Sequence, residues 1–471
     1  MAPAEVLKVS TREGRFPNGM RVIFETAEDS AIAGVALAIE GGSAKDPEGQ
    51  AGLAHLVEHC VFQARHGDTP SVQQRLRELA AHDNASTTHD LVEYHAFVAN
   101  RAFEGVLQII KDIATDPLSN VDDVAFAHEK QVVDAERGLR NEDAQGQIQA
   151  YLYGAMFPPG HPYARPVSGT QDSVAQLTLD KARQFVARTY DPKQMTLYVA
   201  APSSLDAFSR VSEAFAKHAG GPLASVAATT QDTLSNSPPT SSVGPLIVHE
   251  AALPFPELWL SWPLPASTLQ DRAQAELLAN LTDTLVRPTY TSHPAVARAG
   301  CELNEEALSA VVACHLSLND ASDAEGILNR TLTDLRNGFR YARINRDWVW
   351  TRQRDLALDS TFELEGLQAR AVQGARAARL YGSPFLHQEV LGKLPRLDLG
   401  EVSSLGYAMA ERGHTFALLM KPQRGATAAA PPAAQEAGRQ SADDMHGVAP
   451  DIQQTLALVK PAGKRELSQS S

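Results

Sequence analysis

Two histidines and a glutamate stand close enough in the sequence to serve one metal ion. They are His55, Glu58 and His59. On a helix, residues four apart lie about 40° apart around the axis, so both imidazoles can reach the same ion. Glu58 projects from the same side and can contact a water molecule held by that ion. The motif is short, and in a chain with 15 His and 56 acidic residues it can also arise by chance.

A second segment carries two carboxylates at helical spacing. Glu129 and Glu136 are nearly two full turns apart, so they share one helix face with Val132 and Val133 between them. The valines favour a buried face, and a buried carboxylate is costly unless it is paired or binds a metal ion. The alternative is a surface helix whose glutamates form ion pairs with nearby arginines in solvent.

Composition limits the class of protein. At 471 residues the chain is too long for one core, so roughly two to four domains are expected. Its hydrophobic (43%) and charged (21%) fractions are usual for a globular protein. A formal charge of −14, without a Lys/Arg-rich run, argues against a nucleic-acid partner. No apolar run of about 18 residues occurs, so no membrane span and no membrane partner are expected.

The cysteines and the N-terminus predict a cellular location. Cys60, Cys301 and Cys314 are odd in number and lack metal-like spacing, so we expect buried thiols in a reducing compartment. The first residues contain neither the basic nor the apolar segment of a secretory signal. We therefore expect a cytoplasmic location, or a periplasmic one if a signal peptide has been removed.

The order of elements predicts an α+β fold that occurs twice. In the first half, strands and helices alternate; the histidines fall on a helix near 51–65 and the two glutamates on another near 121–141. After a Gly/Pro/Ser/Thr-rich segment, the order strand, strand, helix returns from residue 246. Helices are then predicted at about 324–337 and 347–377, and a closing strand at 415–420. We predict a metal-bearing domain at 1–219, a linker at 220–244, a second domain at 245–422 and a low-complexity tail at 423–471, with a docking segment near 452–459.

Residues that resemble those of a known protein family extend well beyond the candidate metal ligands. They occupy the segments Phe16–Val22, Gly41–Ala54, Asn84–Thr87 and His161–Thr170. Together with the His-x-x-Glu-His order, which is that of the inverzincins, they resemble peptidase family M16, the relatives of insulinase, pitrilysin and mitochondrial processing peptidase. The resemblance covers roughly residues 15–420, is strongest in the first half, and is closest to the short bacterial type with two similar α/β sandwich domains in a clamshell.

The resemblance implies a catalytic zinc centre. His55, His59 and Glu136 would bind one Zn2+ per chain and leave a fourth position for water. Glu58 would act as general base and then as general acid, and Glu129 would orient a ligand histidine. Cobalt or manganese could also occupy such a site, and a pair of core histidines is the structural alternative.

The resemblance also implies where a peptide would bind. Asn84 and Ala85 are similar to an edge strand that receives extended substrates by strand addition; an ordinary Asx-type strand start is the alternative. In the second half, active members carry an Arg and, seven residues later, a Tyr that hold the substrate. Arg298 matches the Arg, but position 305 is Glu. The missing residue implies a second M16-like subunit as a partner; a homodimer is the alternative assembly.

These observations predict a zinc metalloendopeptidase that cleaves oligopeptides or unfolded segments. Two other functions stay open. One is a non-catalytic structural or assembly subunit of an M16-type complex. The other is a peptide-binding or maturation partner whose metal site is only structural.

Overall fold

The computed structural model describes residues 9–142, 151–158, 160–225, 246–251, 253–264, 269–291, 293–305, 307, 309–341 and 346–422. All of these residues belong to one unit, Met1–Ala429. The predicted tail at 423–471, with its segment 452–459, lies outside the described residues, as does most of the predicted linker. In the described part of the chain, none of the helices combines the length and apolar character that a membrane crossing requires.

The first half is built on a seven-stranded sheet. Its strands are β1 (Thr11–Arg15), β2 (Arg21–Thr26), β3 (Ile32–Ile39), β4 (His82–Thr87), β5 (Val92–Ala99), β6 (Met195–Ala201) and β7 (Ala224–Ser225). They lie in the order β4-β5-β3-β6-β2-β1-β7, which makes β4 an edge strand. Only β2 and β6 are parallel neighbours; the other described pairs are antiparallel.

Helices cover one face of this sheet and form its core. They are α1 (Leu53–Gln63), α2 (Val72–Glu78), α3 (Phe103–Thr115), α4 (Asp123–Glu142), α6 (Gln171–Ala175), α7 (Leu179–Thr189) and α8 (Ala207–Ala219). A further helix of the first half, α5 (151–156), lies on the second sheet. Apolar residues of α1 and α3, such as Val57 and Ile110, are buried against inward-facing strand residues such as Val35 and Leu197. The apolar face recurs every three to four residues along α3, which is why the sequence predicts this helix well.

The second half repeats the strand order of the first. Its strands are β8 (Ile247–Ala251), β9 (Glu257–Leu264), β10 (Val296–Glu305), β11 (Ala310–Leu318) and β12 (Phe416–Pro422). Their order β10-β11-β9-β12-β8 matches β4-β5-β3-β6-β2, and β12 and β8 form the parallel pair. Two mixed sheets of equivalent topology confirm the predicted α+β fold class with its duplicated sandwich.

Six helices lie in the described part of the second half. They are α9 (Leu269–Thr291), α10 (Ala324–Tyr341), α11 (Arg346–Glu363), α12 (Leu367–Tyr381), α13 (Leu386–Lys393) and α14 (Leu399–Met409). The single helix predicted at 347–377 is wrong, because the chain breaks between α11 and α12 and α12 starts from Gly366 in an extended conformation. Glycine weakens a helix interior and is tolerated at such a boundary.

Each sheet is covered by a helix from the other half. On the first sheet, Ala371 and Ala375 of α12 pack against Ala36 and Tyr198. On the second sheet, α5 residues pack against β11 and β12; they are Leu152, Tyr153 and Met156. Since both helices bury apolar surface across the boundary, the two halves stabilise each other.

The expectation of three free thiols is wrong for two of them. Cys301 on β10 lies opposite Cys314 on β11, and the two are joined by a disulfide. Cys60 is a buried free cysteine, as expected. The pairing depends on the register of the β10–β11 hairpin, which the sequence pattern did not predict, so spacing along the chain could not bring the two cysteines together.

Candidate metal centre

A side-chain cap fixes the start of helix α1, which carries the histidines. The carboxylate of Asp46 accepts hydrogen bonds from the backbone N–H groups of Gly52, Leu53 and Ala54, at 2.8, 3.2 and 2.9 Å. Burial raises the pKa of Asp46 to about 7, although these hydrogen bonds act in the opposite direction. Asp46 therefore satisfies the free N–H groups at the helix start.

The segment His161–Thr170 contacts the same N-terminal end of α1 and helps to fix its position. Arg165 donates to the carbonyl oxygen of Asp46 at 2.8 Å. Gly52 has a φ of +91°, and a Cβ atom there would meet the carbonyl oxygen of Ser168 at 2.8 Å. Both contacts fix where α1 begins, which accounts for family-like residues in the segments Gly41–Ala54 and His161–Thr170.

Three candidate metal-ligating side chains from two helices lie close together near this end of α1. Oε2 of Glu136 on α4 lies 3.6 Å from Nε2 of His55 and 3.2 Å from Nε2 of His59. One ligand atom from each residue lies within 4.8 Å of the others. Bonds of about 2.0–2.2 Å to a tetrahedral zinc ion would place ligand atoms about 3.3–3.6 Å apart. The spacing and the donor types of this group therefore fit a zinc ion.

Glu129 contacts the imidazole ring of His59 on the side away from Glu136. Its Oε2 atom lies 3.4 Å from Nδ1 of His59, and its Oε1 atom accepts a hydrogen bond from Gln63 at 2.9 Å. Burial lowers the pKa of His59, but the hydrogen bonds to Glu129 and Glu136 outweigh it and raise the pKa to about 10. The carboxylates thus favour positive charge at this point, which a divalent cation would supply.

Helix α4 turns its glutamates toward α1 rather than toward solvent. Glu129 is only 4% exposed and Val133 is fully buried. Arg137, a candidate for a surface ion pair with these glutamates, contacts Asp134 instead. The surface-helix alternative for α4 is therefore not supported.

Glu58 lies beside the ligands with its carboxylate oriented by a threonine. It is 8% exposed, and its Oε2 atom accepts a hydrogen bond from Oγ1 of Thr87 at 2.6 Å. Sequence reasoning did not single out Thr87, Gln63 or Asp46. Thr87 and Asp46 lie inside the family-like segments, which is the signal that could have pointed to them.

The remaining candidates lie on edge strands. Asn84 and Ala85 are on β4, where they pair with His95 and Tyr94 of β5. Ala85 is buried and Asn84 is half-buried. Arg298 lies elsewhere, exposed on β10 at the edge of the second sheet. The side chain of Glu305 lies outside the described residues.

His82, His89 and His128, which are near His55 or Glu136 in the sequence, are not part of the candidate metal group. Among the residues that the structure describes, His55, His59 and Glu136 form the one group of three metal-ligating side chains. His82 and His128 are exposed, whereas His89 is buried and stacks on Tyr153. His82 and His128 thus occupy surface positions and His89 a core position.

Comparison with known proteins identifies relatives for the first half. Residues 21–171 match the family described as Insulinase (Peptidase family M16). An uncharacterized zinc protease of Mycobacterium leprae is 30% identical over 39% of this chain and 41% of its own length. The matches span less than half the length of these curated relatives.

Solved structures share the fold over most of the chain. A protease from Helicobacter pylori aligns with a TM-score of 0.72 at 16% identity and covers 89% of this chain and 100% of that one. A peptidase M16 inactive domain from Pseudomonas fluorescens aligns with a TM-score of 0.70 at 14% identity and covers 88% and 98%. At these identities the similarity concerns the fold alone. Residues 21–171 thus carry the match to the insulinase family of peptidases, family M16, and the described chain shares the fold of the solved M16 domain.

Proposed function

We propose that this chain is a zinc metalloendopeptidase that hydrolyses oligopeptides or unfolded polypeptide segments. The observation that carries the proposal is the meeting of His55, His59 and Glu136 beside the buried carboxylate of Glu58. Two imidazoles, one carboxylate and an adjacent acid–base group are the set of side chains that metal-assisted peptide hydrolysis requires.

Each residue of the metal site has a separate role in the proposed hydrolysis. His55, His59 and Glu136 would hold Zn2+, which when bound would supply Lewis acidity and make water a nucleophile near neutral pH. Glu58 accepts a proton from the attacking water and passes it to the departing amine nitrogen. Glu129 holds the ring of His59 in its orientation through Nδ1.

The edge strand β4 is the proposed place for the substrate backbone. β4 pairs with β5 on one side and is the terminal strand of its sheet. An extended peptide can add to such an edge through main-chain hydrogen bonds, with Asn84 and Ala85 supplying part of that edge. This mode selects an extended shape rather than a narrow sequence.

Metal content and hydrolysis test the proposal together. The purified chain should contain one Zn2+ and cleave an internally quenched oligopeptide. A chelator should stop cleavage, and added Zn2+ should restore it. A chain that binds Zn2+ but cleaves none of a set of extended peptides, alone or with a partner subunit, would contradict the proposal.

We further propose that this chain is the zinc-bearing subunit of a two-subunit peptidase. The proposal is supported by Arg298, which has no tyrosine seven residues after it. A second M16-like chain that carries an Arg and a Tyr seven residues apart would supply the missing tyrosine. Full activity of a purified monomer, measured across a range of protein concentrations, would contradict this arrangement.

A non-catalytic assembly subunit is the second candidate function. The similarity in fold to an inactive M16 domain and the absence of the tyrosine favour it. The presence of all five metal-site residues in one place favours the peptidase. Zn2+ binding without hydrolysis in any subunit combination would support the assembly role.

A further inference from the structure

One hydrogen bond connects the acid–base residue to the edge of the sheet. Oγ1 of Thr87 donates to Oε2 of Glu58 at 2.6 Å; Glu58 is buried and Thr87 is half-buried. O–H to carboxylate hydrogen bonds of this length are charge-assisted and are stronger than neutral ones. The contact therefore selects one orientation of the Glu58 carboxylate.

Thr87 is well suited to hold a flexible side chain in place. A glutamate has several rotatable bonds, and fixing it costs conformational entropy. Threonine is β-branched and has few side-chain conformers. Its backbone pairs with Val92 of β5 at the last register position of β4, so the hydroxyl is presented from an ordered strand.

The hydrogen bond to one oxygen of Glu58 also sets the direction of the other. A carboxylate has two oxygens with about four acceptor positions in total. Because the group is planar, holding Oε2 against Thr87 fixes where Oε1 can accept a proton from the attacking water. Without Thr87, the carboxylate could rotate, and displacements of about 1 Å can reduce rates roughly 100-fold.

We propose that Thr87 is a positioning residue, which orients the Glu58 carboxylate and links it to β4, the strand proposed to bind the substrate. This inference rests on the proposed peptidase function. Since Asn84, Ala85 and Thr87 belong to the same strand, the hydroxyl that holds Glu58 has a fixed position relative to the proposed peptide-binding edge.

The test compares two substitutions at the same position. Thr87→Val keeps the shape and removes the hydroxyl, whereas Thr87→Ser keeps the hydroxyl. Thr115→Val makes the same change at the exposed end of α3, outside the metal site and β4, and serves as the control. Each variant is loaded with Zn2+, and its metal content, melting temperature, kcat and KM are measured.

Thr87→Val should lower kcat about 10- to 100-fold with KM and metal content near wild type. Thr87→Ser should recover most of kcat, and Thr115→Val should match the wild type. A Thr87→Val enzyme with wild-type kcat would overturn the inference while leaving the peptidase proposal intact. Equal losses of kcat in Thr87→Val and Thr87→Ser, accompanied by matching losses of bound Zn2+ or of melting temperature, would also overturn it. An inactive wild type would refute the peptidase proposal and this inference with it.

Discussion

The Oε2 atom of Glu129 lies 3.4 Å from Nδ1 of His59, on the side of the ring opposite the metal-facing nitrogen. The same carboxylate accepts a hydrogen bond from Gln63, which follows His59 by one turn of α1. A carboxylate in this position fixes the tautomer and orientation of a ligand histidine and raises its basicity. The helix spacing of Glu129 and Glu136 thus gives one residue that binds the metal ion and one that supports a ligand.

Replacing Glu129 should weaken metal binding without removing a ligand. Glu129→Gln removes the negative charge next to Nδ1 of His59, so Zn2+ affinity should fall about 10- to 100-fold. Competition with a chromophoric chelator measures this affinity. Glu213→Gln, on the exposed surface of α8, is the control and should bind as the wild type does. Equal affinities in all three proteins would contradict the assigned role.

The half-buried His95 should make stability depend on pH. Its Nε2 atom lies 3.0 Å from the side-chain amide nitrogen of Gln368, which is a donor, so the neutral ring accepts across the boundary between the halves. Burial, aided by the charges of His82 and Arg376, lowers the pKa of His95 to about 4.

The direction of the effect follows from proton uptake. Between pH 6.5, where an unfolded histidine titrates, and about 4, the unfolded chain binds more protons at this site than the folded chain. The contribution of His95 to the free energy of unfolding is therefore present above pH 6.5 and is lost as the pH falls toward 4. Urea unfolding across this range should give a shallower pH dependence for His95→Gln than for wild type. Identical slopes would refute the assignment of this pH dependence to His95. His218→Gln, on the exposed surface of α8, is the control and should have the wild-type slope.

A buried ion pair should contribute to the docking of α12. Arg21 is fully buried; its guanidinium bonds both oxygens of Glu13 at 2.9 Å and the carbonyl oxygens of Ala378 and Gly382 at 3.0 Å. Glu13→Ala leaves this cation without its carboxylate, so the free energy of unfolding should fall by about 3–5 kcal/mol. Glu213→Ala on the surface should change it by less than about 0.5 kcal/mol. Similar values for the two variants in chemical denaturation would contradict the role of the pair.

The disulfide predicts the number of reactive thiols. Since Cys301 and Cys314 are joined and Cys60 is free, the unreduced, denatured chain should react at one thiol, and the reduced chain at three. Three thiols before reduction, in protein isolated with its native redox state preserved, would contradict the pairing. Because disulfides persist mainly in oxidising compartments, the same count also tests the cytoplasmic location predicted from the N-terminus.

The metal site could be predicted because its geometry is local to two helices. His55 and His59 are one turn apart on α1, and Glu129 and Glu136 are two turns apart on α4, so helical periodicity alone gives each pair a common face. The family-like segments then indicated that the two faces meet. The structure brings them together as the resemblance implied.

What could not be predicted depends on contacts between distant segments. The hydrogen bond between Glu58 and Thr87 joins a helix to the end of a strand, and no periodic pattern encodes it. The disulfide needs the register of β10 and β11, and that hairpin was missed in the sequence. Helix α12 packs on the sheet of the other half, which requires knowledge of how the halves associate.

Substitution of the acid–base residue is the most direct test of the central claim. Glu58→Gln keeps the size of the side chain and should still accept the hydrogen bond from Thr87, but it cannot take a proton from water. The variant should bind one Zn2+ and melt near the wild-type temperature, while peptide hydrolysis falls by at least about 100-fold. Hydrolysis at the wild-type rate by zinc-loaded Glu58→Gln would contradict the claim that this site is a metallopeptidase centre with Glu58 as its base.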